Sequence, residues 1–153
     1  MYGAIPKGSL AGGITDTIRE YNSAGTFAAN DLAMIDGSTG EVVVATAGSR
    51  LMGVALEAAT SASTGVAINI TPWLLVLMDN DNDTETFAAT HIGEWGNFIG
   101  GTGAMQVDSN TLSTTVAQLM CVEYNPQGHG YDSDTSIGIF MISESMWCST
   151  YTE

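Results

Sequence analysis

Apolar residues in this chain come in short runs closed off by turn-forming residues, and nowhere do they recur at i, i+3, i+4 and i+7 over the length of a helix. The best helical stretch, near Arg50 to Ala59, is interrupted by Gly53 and Val54, both poor helix formers. β-Strands are therefore the way this chain can bury its apolar residues, and very little helix is expected. Residues 31–36 (DLAMID), the turn 37–40 (GSTG) and residues 41–46 (EVVVAT) read as a hairpin, two β-prone runs flanking a cluster that tolerates tight-turn backbone angles. Residues 50–57 and 65–71 supply a third and a fourth strand. The run 73–78 (WLLVLM) is a further strand, set off by Pro72, which has no N–H to give a ladder. At six residues it falls far below the ~20 that a membrane helix needs, so no membrane association is expected.

Residues 1–20 carry Gly3, Pro6, Gly8, Gly12 and Gly13 without a period and read as an extended N-terminal arm. Residues 21–78 read as a first β module, 79–103 as an acidic and glycine-rich connector, and 104–153 as a second β module; one compact domain over 1–153 is the alternative. The modules share an order of short motifs. Ala33-Met-Ile-Asp36 is similar to Ala104-Met-Gln-Val-Asp108, Leu51-Met-Gly-Val54 to Leu119-Met-Cys-Val122, and Gly65-Val-Ala-Ile68 to Gly138-Ile-Phe140, the signs of an internal duplication. Residues 86–90 are expected to form a strand. Residues 125–134 form a long loop of the kind that carries contacts.

Charge is scarce and one-sided. Charged residues are 13% of the chain, 17 Asp and Glu stand against 3 Lys and Arg, and the net charge is −14. Lys7, Arg19 and Arg50 are the only bases, which excludes phosphate-backbone recognition of nucleic acid. Disorder is the other common reading of an acidic chain, and 44% apolar residues spread throughout argue against it. The surface should be rich in uncharged Ser, Thr, Ala and Gly, which cost little to desolvate when another protein covers them. The opening MYGAIPKGSL has no long apolar core, so no secretory leader is expected and synthesis in a cytosol follows. Cys121 and Cys148 are too far apart and too few for a disulfide scaffold or a zinc site; they read as buried thiols, with a bridge between them as the alternative.

The search for chemistry returns no site. Asp79, Asp81 and Asp83 alternate as calcium ligands do, but no Gly follows the third Asp and Thr90 stands where a bidentate Glu is needed, so a solvated turn is the better reading of 79–85. His129 with Asp132 and Asp134, or His91 with Glu94, could supply acid-base groups, yet no element spacing fixes them together. There is no Gly-x-Ser-x-Gly elbow, and Gly100-Gly-Thr-Gly103 lacks the helix and the Lys-Ser/Thr of a phosphate cradle. No enzyme activity, cofactor or metal is expected. Trp73, Trp95 and Trp147 could line a sugar-binding face, but anchors in the core or at an interface suit them better.

The string Ala24-Gly-Thr-Phe-Ala-Ala-Asn-Asp-Leu-Ala-Met-Ile-Asp36, followed by Gly40-Glu-Val-Val-Val-Ala-Thr-Ala47 and Leu51-Met-Gly-Val-Ala-Leu-Glu57, resembles the capsid decoration (cement) proteins of tailed bacteriophages. The stretch 113–143 is similar to their C-terminal module. The resemblance implies an all-β fold, a small β-barrel or β-tulip-like body, and self-association with a trimer favoured. It implies a virion protein, made in the bacterial cytoplasm, on the outer capsid surface. There it would bind the major capsid protein, bridge neighbouring subunits and stabilise the shell. The acidic 79–85 loop and the long 125–134 loop depart from compact members of that family. On this reading Tyr2, Ile5, Lys7, Leu10 and Arg19 are the docking residues of the arm, its bases steering it to an acidic capsid surface. Trp73, Leu75 and Leu77 are the candidate subunit contact. A phage head fibre or a carbohydrate-binding β module is the alternative, and a hydrolase the weakest option.

Overall fold

The structure is a computed structural model that describes residues 3–9, 16–60, 65–81, 86–124 and 136–143. Its strands in chain order are β1 (Ile5–Ser9), β2 (Ile18–Asn22), β3 (Leu32–Ile35), β4 (Val42–Val44), β5 (Gly53–Ala55), β6 (Gly65–Asn69), β7 (Leu74–Asp79), β8 (Trp95–Gly96), β9 (Phe98–Ile99), β10 (Gln106–Val107), β11 (Leu119–Tyr124) and β12 (Ile137–Ile142). Two single-turn 3-10 helices, Ala89–His91 and Ser109–Thr111, are the only helical elements among the described residues. The chain is all-β, as its periodicity requires. Residues 86–90, expected as a strand, instead lead into the first of those helical turns.

Two five-stranded antiparallel sheets form the body, in the orders β1-β7-β12-β11-β8 and β2-β6-β5-β3-β4, with β9 and β10 as a separate pair. Four strands of each sheet lie in the same order. Taken along the chain they run first, fourth, third, second, as β2-β6-β5-β3 and as β7-β12-β11-β8, a Greek-key arrangement made twice.

The correspondence holds residue by residue. Ile18 opposite Asn69 matches Leu75 opposite Met141, and Val54 opposite Asn69 matches Met120 opposite Met141. Leu32 opposite Val54 matches Trp95 opposite Met120, and Ile35 opposite Val42 matches Phe98 opposite Val107. In each unit a parallel bridge then joins the residue after the first strand to the hairpin, Ser23 to Val42 and Asn80 to Val107. The N–H of the next residue donates to the same carbonyl, Ala24 to Val42 and Asp81 to Val107, both at 3.0 Å. Each unit thus curls toward a barrel without closing.

This register places the second unit's first strand at β7, and residues 79–103 contribute β8 and β9 to it rather than serving as a bare connector. It also realigns the motifs. Leu51-Met-Gly-Val54 and Leu119-Met-Cys-Val122 lie on corresponding strands but two positions out of step, since Gly53 is level with Leu119. Gly138 is level with Val66, one position from the motif match, and Ala33 is level with Gly96 rather than Ala104.

The largest core lies between the sheets, Leu32, Leu51 and Val54 meeting Leu74, Val76, Met78, Leu119, Phe140 and Ile142. Phe87 packs edge-on to Phe140, ring centres 5.1 Å apart at 61°. A second core, with Phe27, Val42, Met52, Val66 and Ile68, fills the curl of the β2–β6 sheet, and Leu77, Ile137 and Ile139 cluster on the other face of the β7–β12 sheet. Both faces of each sheet are therefore apolar, a requirement that short uninterrupted runs such as 73–78 satisfy.

Candidate docking surface

Within the segment anticipated as an extended arm, Ile5–Ser9 form a sheet strand, β1. β1 adds antiparallel to β7, with Ile5 opposite Leu77 and Ser9 opposite Leu74. The register slips between Pro6 and Gly8, so Lys7 sits in a bulge and points its exposed side chain outward. Gly8 has φ +119°, a conformation open to glycine, which is why the bulge falls there. The Ser9 hydroxyl donates to the Pro72 carbonyl at 2.6 Å, tying the end of β1 to the turn that precedes β7.

That turn carries Trp73, which precedes β7 rather than belonging to it. Its φ of +48° is left-handed, a strained state for a bulky residue, costing on the order of 1–3 kcal/mol. Its side chain is 47% exposed. Leu75 is half-buried and Leu77 is 1% exposed, packed with Ile137, Ile139 and Ile5 inside the one chain. The structure thus brings Ile5, Lys7, Trp73, Leu75 and Leu77 to one corner of one sheet, and Lys7 and Trp73 are what that corner presents to solvent. Tyr2 and Leu10 lie outside the described residues.

Arg19 lies elsewhere, on β2 of the other sheet. It is exposed, and its guanidinium donates to the carbonyl of its neighbour Ile18 at 2.9 Å. Ile18 is itself 45% exposed, so β2 is an edge strand with an apolar and a basic residue in the open.

Among the described residues considered for chemistry, Asp81 and His91 make hydrogen bonds within the fold. The Asp81 carboxylate accepts from the Ser109 hydroxyl at 3.1 Å, and Asp83 lies outside the described residues. His91 Nδ1 accepts the Ala88 N–H at 3.2 Å. Its counterpart in the first unit is Asp31, whose Oδ2 accepts the Ala28 N–H at 2.8 Å. The signal for this shared cap was in the sequence, where Thr26-Phe-Ala-Ala29 recurs as Thr86-Phe-Ala-Ala89. Asp31 does more, because its Oδ1 also accepts the Gly103 N–H at 2.8 Å, joining the two units. Gly103 closes the β9–β10 turn with Gly100, at φ +71° and +92°.

Cys121 is buried, and burial, followed by the nearby Glu94 charge, pushes its thiol up to about 12. Cys148, Trp147, His129, Asp132 and Asp134 lie outside the described residues. Trp95 is half-buried on β8, three strands along the sheet from β7, so it is not a neighbour of Trp73 with which it could form one sugar-stacking platform. Among the described residues no group of three His, Cys, Asp or Glu side chains is placed to hold a metal, and no helix is long and apolar enough to cross a membrane. No protein-family model matches the chain, and no curated protein matches it.

Proposed function

We propose that this chain is a structural virion protein that binds the outer surface of a phage capsid and bridges neighbouring capsid subunits, acting by contact and without catalysis. The observation that carries the proposal is the corner where β1 meets β7. One of only three bases, Lys7, is held out on a bulge, and beside it a half-exposed Trp73 is kept in a strained backbone state. The strained backbone at Trp73 is a cost to the isolated chain that a contact made by its indole would offset. Docking would bury roughly 100 Å² of indole, which at about 25 cal/mol per Å² is on the order of 2.5 kcal/mol, enough to make Trp73 an anchor. A low-charge surface around it is cheap to desolvate, and Lys7 would find an acidic partner surface against the chain's own net charge of −14. Self-association into a trimer belongs to the same proposal, with the exposed Trp73 and the half-buried Leu75 as the contact residues that remain once Leu77 is packed inside the chain.

The test is cosedimentation of purified chain with undecorated phage heads, followed by electron microscopy of the particles. The full chain should occupy regular surface positions, and Trp73→Ala and Lys7→Glu should each lower occupancy at least tenfold while leaving the melting temperature within a few degrees. Unchanged occupancy in both variants, or no regular position on any head, would sink the proposal. Light scattering at low concentration tests the oligomer, and a clean monomer removes that part.

A further inference from the structure

We propose that the outer edge of β2 is a docking site for an extended segment of a partner protein, apolar and basic in character, which adds to the sheet as an antiparallel strand. The inference comes from the close equivalence of the two units, set against one difference at the outer edge of their first strands. Ile18, Glu20 and Asn22 of β2 stand level with Leu75, Leu77 and Asp79 of β7. In the first sheet that edge of β7 is filled by β1. In the second sheet no strand fills it among the described residues, and β2 ends the order.

Backbone alternation fixes which groups are on offer. The Ile70 N–H donates to the Thr17 carbonyl, so Thr17, Arg19 and Tyr21 turn their backbone groups to β6, and Ile18, Glu20 and Asn22 turn theirs away. At the far end the parallel Ser23–Val42 bridge takes up the Ala24 N–H and the Asn22 carbonyl, which limits the open edge to the backbone groups of Ile18 and Glu20 and the Asn22 N–H. The Arg19 guanidinium on the Ile18 carbonyl is a surface contact that an incoming N–H can replace at little cost.

Charge and register choose the occupant. Two copies of β2 meeting edge to edge must pair residues of the same parity, because only the even-numbered ones face outward. The two central registers then set Glu20 against Glu20 or Arg19 against Arg19, and registers further along run into Val42 at Ala24. Like charges directly opposite are destabilising, and each copy brings a net charge of −14. A second copy's β1 could fill the edge only by vacating its own β7. Among the described residues no strand of this chain is left to fill the edge, and its charge assigns the place to a strand from another protein. β1 shows the kind of segment such an edge takes, with one branched apolar residue, one base and no acid. On β2 the residues facing that strand are Ile18 and Glu20 in place of Leu75 and Leu77, which calls for an apolar residue opposite the first and a base opposite the second. The proposal stands whether or not that partner is a capsid protein.

Amide hydrogen exchange on the full chain tests it. The probe is a peptide with the sequence of residues 3–10 in which the position of Ile5, opposite Glu20 in the equivalent register, is replaced by lysine; its control carries glutamate there. In the free protein the Glu20 and Asn22 amides should exchange fast while those of Leu75 and Leu77 are protected. Millimolar lysine peptide should slow Glu20 and Asn22 at least tenfold, and the glutamate peptide should not. Glu20→Pro, which removes only the outward-facing N–H, should abolish the slowing at Asn22, whereas Glu20→Ala should retain it. Glu20 and Asn22 amides already protected without peptide, or slowed equally by both peptides, would overturn the proposal. Protection that rises with protein concentration alone would overturn it in favour of a second copy.

Discussion

Removing the Asp31 carboxylate should destabilise this fold, and the size of the effect follows from two hydrogen bonds. Asp31 is fully buried, its Oδ2 accepting the Ala28 N–H and its Oδ1 the Gly103 N–H, both at 2.8 Å. Asp31→Ala orphans both donors. A buried N–H left without a partner costs about 1–3 kcal/mol. Ala28 is half-buried and Gly103 is exposed, so water reaches part of what is orphaned and each donor falls near the low end of that range. The pair comes to about 2 kcal/mol against a total stability of about 5–15 kcal/mol for a domain. With a urea m-value of about 2 kcal/mol per M, the unfolding midpoint should fall by about 1 M. Asp31→Asn tests the mechanism. It keeps one acceptor for one of the two donors and turns its NH₂ toward the other, so its loss should be at least half that of alanine. Equilibrium urea unfolding followed by tryptophan fluorescence measures all three proteins. An alanine variant within about 0.5 kcal/mol of the parent, or an asparagine variant as stable as the parent, would refute the reasoning.

Three further outcomes are expected. His91→Ala should cost about 1 kcal/mol by leaving the Ala88 N–H uncapped, while His91→Asp, which imports the acceptor that Asp31 provides in the other unit, should recover most of it in the same urea assay. In a Cys148→Ser background, Cys121 should resist thiol-specific alkylation at pH 8 until the chain unfolds. Its folded pKa of about 12 lies above the ordinary value of 9.0, so its contribution to stability is full below pH 9 and fades as pH rises toward 12; rapid labelling of the native protein would contradict this. Trp73→Gly should raise the melting temperature by relieving the left-handed strain at φ +48° while weakening any docking through the indole, and a fall in melting temperature would show that the ring packs on its own chain.

The fold class was legible because periodicity is a local property. Runs such as 73–78 and 137–142 are too short and too continuous to be amphipathic helices, and they became the central strands β7 and β12. The duplication was visible too, but its register was not. Matching Leu51-Met-Gly-Val54 to Leu119-Met-Cys-Val122 finds the right strands and misses by two positions, because the sheet sets register by facing residues and not by identity. Residues 32–35 form one strand where the second unit divides the same stretch into β8 and β9 at Asn97, so no motif match could align them. At the candidate docking corner, Ile5, Trp73, Leu75 and Leu77 were singled out as two separate sets. Only the long-range pairing of β1 with β7 unites them and shows that Leu77 is spent on the chain's own core. Arg19 was grouped with Lys7 by proximity in sequence, yet the chain between them takes it to the other sheet.

Edge management gives the last consequence. An exposed strand edge invites pairing, and the edges here are blunted in different ways. β8 is two residues long, β4 is turned in against Ser23, and β1 carries Pro6 and a bulge at Lys7. β2 has five residues and, among the described residues, the Arg19 contact and the Ser23–Val42 bridge at its end are what protect it, while its charges oppose self-pairing. Deleting residues 2–14 to test docking would therefore do more than remove an arm. It would strip β1 from β7 and bare an edge whose central residues, Leu75 and Leu77, are apolar where β2 has Glu20, leaving charge only at its end, at Asp79. That deletion should drive association beyond the state of the full chain, detectable by light scattering as a concentration-dependent rise in mass. Asp replacing Leu75 in the deleted chain should suppress it. A deleted chain no more associated than the parent would mean that β7 needs no cover, and β1 would then be free to act as an arm after all.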